Sequence, residues 1–167
     1  IKVLEARIME MVRHGNDNVA LADKMLRWSR ALFLVSSAAA LPGRLVTELT
    51  DQFAVPQVAL RLWGLASEFA DLPHAVEVSE DAKLFASALG EPFCGINTGF
   101  EAAQWLAAPD AAVSLAQIPL RSGDADSPAF GMLVLASPDS QRFRPDMGTE
   151  FLVRFGEIAS AALTRLR

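Results

Sequence analysis

The stretch Ala129–Leu152, AFGMLVLASPDSQRFRPDMGTEFL, constrains the fold more than any other part of the chain. Phe130–Ala136 is a run almost without polarity, so as a strand it needs cover on both faces. Ser137-Pro138-Asp139 has turn chemistry, since Pro presets φ and Asp bonds its own backbone. Arg142 ties that turn through Asp139 or Asp146, and Phe143 plugs it as an apolar anchor. The final helix is expected to start near Pro145, with Asp146 in the acid-favouring first turn. Met147, Phe151, Phe155, Ile158, Ala162 and Leu166 then repeat at helical spacing, and Leu152, Ala159 and Leu163 widen the same face. Upstream, Val113–Leu120 reads as the partner strand. Arg121–Pro128 (RSGDADSP) has the composition of a hairpin loop, and Pro119 marks a sheet edge, a bulge or a strand end. A strand covered on two faces, a hairpin and a long closing helix together predict an α+β domain with an antiparallel sheet between helical layers.

The rest of the composition narrows the class. The chain has 167 residues, 51% of them apolar and 21% charged, enough for one core and too polar-poor for disorder. No apolar run approaches the roughly 18 residues of a membrane helix, and no signal-peptide pattern opens the chain. The first residue is Ile1 rather than Met, from which further sequence upstream is expected. A single cysteine, Cys94, rules out an internal disulfide framework and suits a reducing cytoplasm. The net charge of −5 disfavours a general phosphate-backbone binder. Residues 1–35 carry six Lys/Arg against four Asp/Glu. That small excess reads as a solvated helix face or as a patch for an acidic partner.

Residues 1–35 read as one long helix. Ile1, Leu4, Ile8, Met11, Asn18 and Met25 fall on one heptad seam, continued by Leu32, and form the predicted dimer interface. Gly15 and Asn16 weaken the helix locally, so it either runs straight as a dimer stalk or bends there. Val19, Leu26 and Phe33 broaden the stripe and predict packing of the second half on the domain body. The domain division that follows is a helix over 1–35 and a globular domain over 36–167.

Pro42 suits the first turn of a second helix, with Leu45, Val46, Leu49 and Phe53 on its buried face and Val55-Pro56 as its stop. In Gln57–Trp63, Val58, Leu60 and Leu62 alternate with Ala59, Arg61 and Trp63. A short strand is expected at Ala75–Val78. Ser79 reads as the N-cap of a helix through Leu89, with Gly90 as a left-handed stop.

Taken in order, these segments resemble a known family. The resemblance is carried by Asp51-Gln52-Phe53 leading to Leu60-Arg61-Leu62, by Phe93-Cys94-Gly95, Ile118-Pro119-Leu120 and Gly131-Met132-Leu133, and by Ser137–Phe143 with Met147-Gly148-Thr149. The chain resembles the bacterial family called "domain of unknown function 484" and, more broadly, the GAF domain, a sensory relative of the PAS fold. The resemblance implies an antiparallel sheet flanked by helices behind a long N-terminal helix. It implies a class without a chemistry, since the family carries no established activity. GAF-type methionine sulfoxide reductases use several cysteines, and this chain has one. The Asn-Lys-Phe-Asp-Glu signature of cyclic-nucleotide GAF domains is absent.

No nucleophile, acid–base set or phosphate loop can be assembled, so no enzyme activity and no cofactor are expected. His14, His74 and Cys94 lack metal-ligand spacing. Arg61 and Trp63 are the leading ligand candidates, for an anion and a planar group; the bland alternative is a core Trp and an ion pair from Arg61 to Glu68 or Glu101. Phe93, Cys94, Ser114, Phe130 and Met132 complete the candidate set, although a lone Cys between Phe93 and Gly95 is more often a small buried hydrophobe. Phe85, Phe93, Phe100, Trp105 and Met132 are bulky enough to fill the same cavity. The expectation is a cytoplasmic homodimer that signals, with a small molecule or a protein as partner and neither direct nucleic-acid contact nor membrane association. The alternative is a filled, ligand-free scaffold.

Overall fold

The computed structural model describes residues 1–124, 126–145 and 149–167, with backbone only at position 14. Four helices and four strands are arranged as α1 (Lys2–Phe33), α2 (Leu41–Phe53), β1 (Gln57–Leu62), α3 (Glu80–Ala88), β2 (Phe93–Ile96), β3 (Ser114–Leu120), β4 (Gly131–Ser137) and α4 (Glu150–Leu163), among the described residues. The strands form one antiparallel sheet in the order β1-β4-β3-β2. β4 lies inside the sheet and every one of its residues is buried, as its unbroken apolarity requires. The α+β expectation holds: α1, α2 and α4 cover one face, and α3 with short 3-10 turns covers the other.

Strand alternation divides the core in two. Leu60, Leu62, Cys94, Ala116, Ile118, Leu120, Leu133 and Leu135 face the long helices. Ala59, Leu115, Met132, Val134 and Ala136 face α3 and the turns. Two glycines permit the close approaches. A Cβ at Gly131 would lie 2.7 Å from Leu62 Cδ2 and 2.9 Å from the Arg61 carbonyl; one at Gly156 would lie 2.9 Å from Ile118 Cγ2, where α4 crosses β3.

α1 runs unbroken through Gly15 and Asn16. Its seam behaves as two parts. Ile1, Leu4, Ile8, Met11 and Asn18 are exposed, whereas Met25 is 7% exposed and joins Trp28 and Leu32 in the core. Met25 is therefore withdrawn from the expected dimer seam by packing within its own chain. The residues that dock α1 on the body are also not those expected, because Val19, Leu26 and Phe33 all point to solvent. Trp28, fully buried, donates from Nε1 to the Leu45 carbonyl at 3.2 Å and meets Phe155 edge-to-face at 5.1 Å. Helix and globular body thus share a core across the expected boundary at residue 35.

Other local expectations are corrected. The final helix begins at Glu150, not near Pro145; Asp146, Met147 and Gly148 lie outside the described residues. Gly90 is not a left-handed stop: α3 ends through Leu89 in an extended conformation. Pro73–Ala75 is a 3-10 turn and no strand forms at Ala75–Val78. Pro119 sits in an inner strand, yet its position is permissive. The Leu120 carbonyl accepts from Phe130 N across the hairpin, so alternation turns the Pro119 nitrogen toward β2. That strand ends at Phe93, opposite Gln117.

Candidate functional site

The side of the sheet away from the long helices carries the candidate site. Three polar ties hold its cover. Ser79 Oγ accepts from Ala82 N at 3.1 Å, capping α3, and its hydroxyl donates to the Glu101 carboxylate. At the other end of α3, Arg121 Nη2 donates to the carbonyls of Ser87 and Leu89, each at 2.7 Å. Asn97 Oδ1 accepts from Gly99 N at 3.1 Å and Phe100 N at 3.3 Å, and so places the Phe100 ring over the sheet.

Between this cover and the strands lies a cavity of ≈190 Å³ lined by Asp81, Ala82, Phe85, Phe100, Glu101, Ala102, Gln117 and Met132. Phe85 and Phe100 form an aromatic wall, their centroids 5.9 Å apart, and Phe93 braces Phe100 edge-to-face at 4.9 Å. The lining is apolar except for two acids and one amide. Gln117 is 0% exposed, and neither its Oε1 nor its Nε2 has a hydrogen-bond partner. A buried, unsatisfied amide is costly, on the order of 1–3 kcal/mol for each group left unpaired. A wider depression of ≈470 Å³ beside α4 differs in this respect. Its buried hydroxyl, Ser160, already accepts from Arg121 N at 3.0 Å.

The expected ligand residues do not come together. Met132 lines the cavity, and Phe93 touches it only through Phe100. Arg61 and Trp63 share that face of the sheet but turn elsewhere. Arg61 is half-buried with its guanidinium 5.9 Å from the Trp105 ring centroid. Among the described residues it forms no ion pair with Glu68 or Glu101; its Nη1 donates to the Leu60 carbonyl at 3.2 Å, and the Trp105 ring lies where a carboxylate was expected. Trp63 donates to the Ala129 carbonyl at 2.8 Å and borders a separate hollow with Val76 and Lys83. Cys94 lies on the opposite side, because adjacent strand residues point to opposite faces. Ser114 is a structural hinge: its hydroxyl donates to the Asp139 carbonyl at 2.7 Å and accepts from Phe143 N at 3.3 Å. Phe130 precedes β4 and packs with the long-helix side. Gln117, the residue missed, has one sequence signal, a lone amide inside the apolar run SLAQIPL.

Among the described residues, two groups have clearly shifted proton affinity. Burial pushes the Cys94 thiol up to about 11, which leaves it a protonated and unreactive sulfhydryl at neutral pH. His74 is held below its ordinary value by burial first and by the positive charge of Arg61 second.

This arrangement of sheet and flanking helices matches solved GAF domains. The GAF domain of a candidate sensor histidine kinase from Pseudomonas syringae pv. tomato is 17% identical, with 92% of each chain covered and a TM-score of 0.58. The GAF domain of an Acinetobacter phosphoenolpyruvate-protein phosphotransferase is 16% identical, with 86% of this chain and 92% of that one covered and a TM-score of 0.62. At these identities the likeness establishes the fold. No curated protein matches the chain. The sequence model of "protein of unknown function, DUF484" matches residues 1–167. The chain belongs to the DUF484 family, and its domain has the GAF fold.

Proposed function

We propose that this chain is a non-enzymatic sensory or regulatory module that pairs with a second copy through its terminal helices and holds a small molecule against the far face of its sheet. One observation carries the reading. α1 is anchored in the core by Met25, Trp28 and Leu32, while the preceding seam of Ile1, Leu4, Ile8 and Met11 is exposed. Heptad-spaced apolar residues left in water favour a coiled-coil partner. Phe33, 85% exposed, and Ile158 continue the apolar surface beside α4.

The same sheet separates the cavity from this stalk. A ligand that changed the seating of β3 and β4 would act on α4 and, through Phe155 and Trp28, on α1. A cytoplasmic setting accords with the lone thiol, and the acidic net charge accords with a role without direct nucleic-acid contact.

Light scattering over a concentration series tests the pairing. A dimer that dissociates on Leu4→Lys plus Ile8→Lys supports it; a monomer at every concentration, for this chain and for any longer form, overturns it. The second reading, a ligand-free scaffold, is favoured by the small size of the cavity, ≈190 Å³ against the roughly 300 Å³ at which drug-sized sites begin. Thermal-shift screening separates the two: a saturable rise in melting temperature belongs to the binder.

A further inference from the structure

We infer that the cavity under α3 reads the amide edge of a small, uncharged planar ring, with Gln117 as the specificity-determining residue. The inference rests on the reading of this chain as a small-molecule binder. Its ground is the pair of orphaned atoms on Gln117, which is wholly buried in an inner strand, lines the cavity and has no hydrogen-bond partner for its amide among the described residues. A side-chain amide offers a donor and an acceptor side by side in one plane. Its complement is a group carrying an N–H beside a carbonyl or ring nitrogen, as in a lactam, a primary aromatic amide or a nucleobase. Binding such an edge would satisfy both atoms at once.

The remaining lining sets the other properties. Phe85 and Phe100 offer ring faces and edges, and Met132, Ala82 and Ala102 offer apolar contact, which suits an aromatic or conjugated ring. Asp81 and Glu101 border the cavity, and no Lys, Arg or His among the described residues lines it. A phosphate or carboxylate would meet like charge there. A volume of ≈190 Å³ corresponds to about six waters at the liquid's share per molecule, which admits one ring or two fused rings and not a nucleotide.

The test uses 2-pyridone, uracil and benzamide as amide-edge probes, toluene as a ring without the edge, and adenosine monophosphate as a charged control. Binding to the whole chain is followed by calorimetry and by NMR shifts of the Met132 methyl. The expected result is saturable binding of at least one amide-edge probe, weakened about tenfold or more by Gln117→Leu, with no heat from adenosine monophosphate. Gln117→Leu should also melt at or above the parent temperature, since it removes two unsatisfied buried atoms without removing a bond. Equal affinity for toluene and the amide probes, or binding unchanged in Gln117→Leu, overturns this inference and leaves the broader binder reading standing. A lower melting temperature in Gln117→Leu overturns it as well, because the amide would then be structural. Absence of binding by any probe, with ordered water alone on Gln117 in a crystal structure, overturns the inference together with the binder reading.

Discussion

Arg142 Nη2 donates to the carbonyl of Phe53 at 2.8 Å, across 89 residues of sequence, and its Nη1 reaches the Ala54 carbonyl at 3.4 Å. The guanidinium closes the C-terminus of α2, where Ala54 ends the helix in the left-handed conformation at φ 52°. A cation here meets the negative end of the helix dipole. The tie to the turn expected from sequence runs through the backbone, where Arg142 N donates to the Asp139 carbonyl at 3.1 Å; Asp146, the other expected partner, lies outside the described residues. Arg142→Ala is expected to cost about 1 kcal/mol, a modest figure because the side chain is exposed. Arg142→Lys should recover part of the loss. Urea midpoints of the three proteins measure it, and an unchanged midpoint in Arg142→Ala would show that the contact contributes nothing.

The shared core of α1 and the body gives a different outcome for two truncations. Removing residues 1–20, all of them exposed or without described side chains, should leave the fold of the single chain intact and remove the proposed pairing, so that the melting temperature no longer depends on protein concentration. Removing residues 1–35 takes away Met25, Trp28 and Leu32 and should abolish cooperative unfolding. Trp28→Ala alone should cost about 3–5 kcal/mol. Circular dichroism melts distinguish these cases; a stable, cooperative 36–167 fragment would contradict the shared core.

Phe143 is buried, and its backbone N–H is held by the Ser114 hydroxyl that also donates to Asp139. The turn after β4 is thereby latched to the start of β3. Phe143→Ala is expected to destabilise by about 3–5 kcal/mol through the cavity it leaves. Ser114→Ala strands the buried Phe143 N–H, while the Asp139 carbonyl keeps its bond from Arg142 N at 3.1 Å, and should cost about 1–3 kcal/mol. Denaturant unfolding of each variant provides the check, and parental stability in Phe143→Ala would refute the latch.

Cys94 links pH to stability with a definite sign. The folded thiol titrates at about 11 and the unfolded one at its ordinary 9.0, so the unfolded chain loses its proton first. The contribution is complete below pH 9 and disappears as the pH rises toward 11. The stability difference between the parent and Cys94→Ala should therefore narrow between about pH 9 and 11, the window those two values define. Iodoacetamide should label the native thiol far more slowly than the urea-unfolded one. Native labelling at the unfolded rate would contradict the burial.

Local chemistry made much of this fold legible in the sequence. Alternation in Gln57–Trp63, the Ser79 cap, Pro42 in the first turn of α2 and the unbroken apolarity of β4 each depend on neighbours within a few residues. The candidate site was legible only in fragments, Met132 and the Phe85 and Phe100 rings, because a strand's period tells which residues share a face and not what covers that face. That is why Phe93 and Cys94, consecutive in the chain, were grouped together and then fell on opposite sides. Only the tertiary structure decided that Met25 belongs to the core, that Arg121 and Arg142 close helices remote in sequence, and that Gln117 lines a cavity with its amide unpaired among the described residues. The physical reason is common to all three. Amphipathic patterns set which side chains leave water, whereas the partner each one meets is set by sheet register and by where the covering segments cross it.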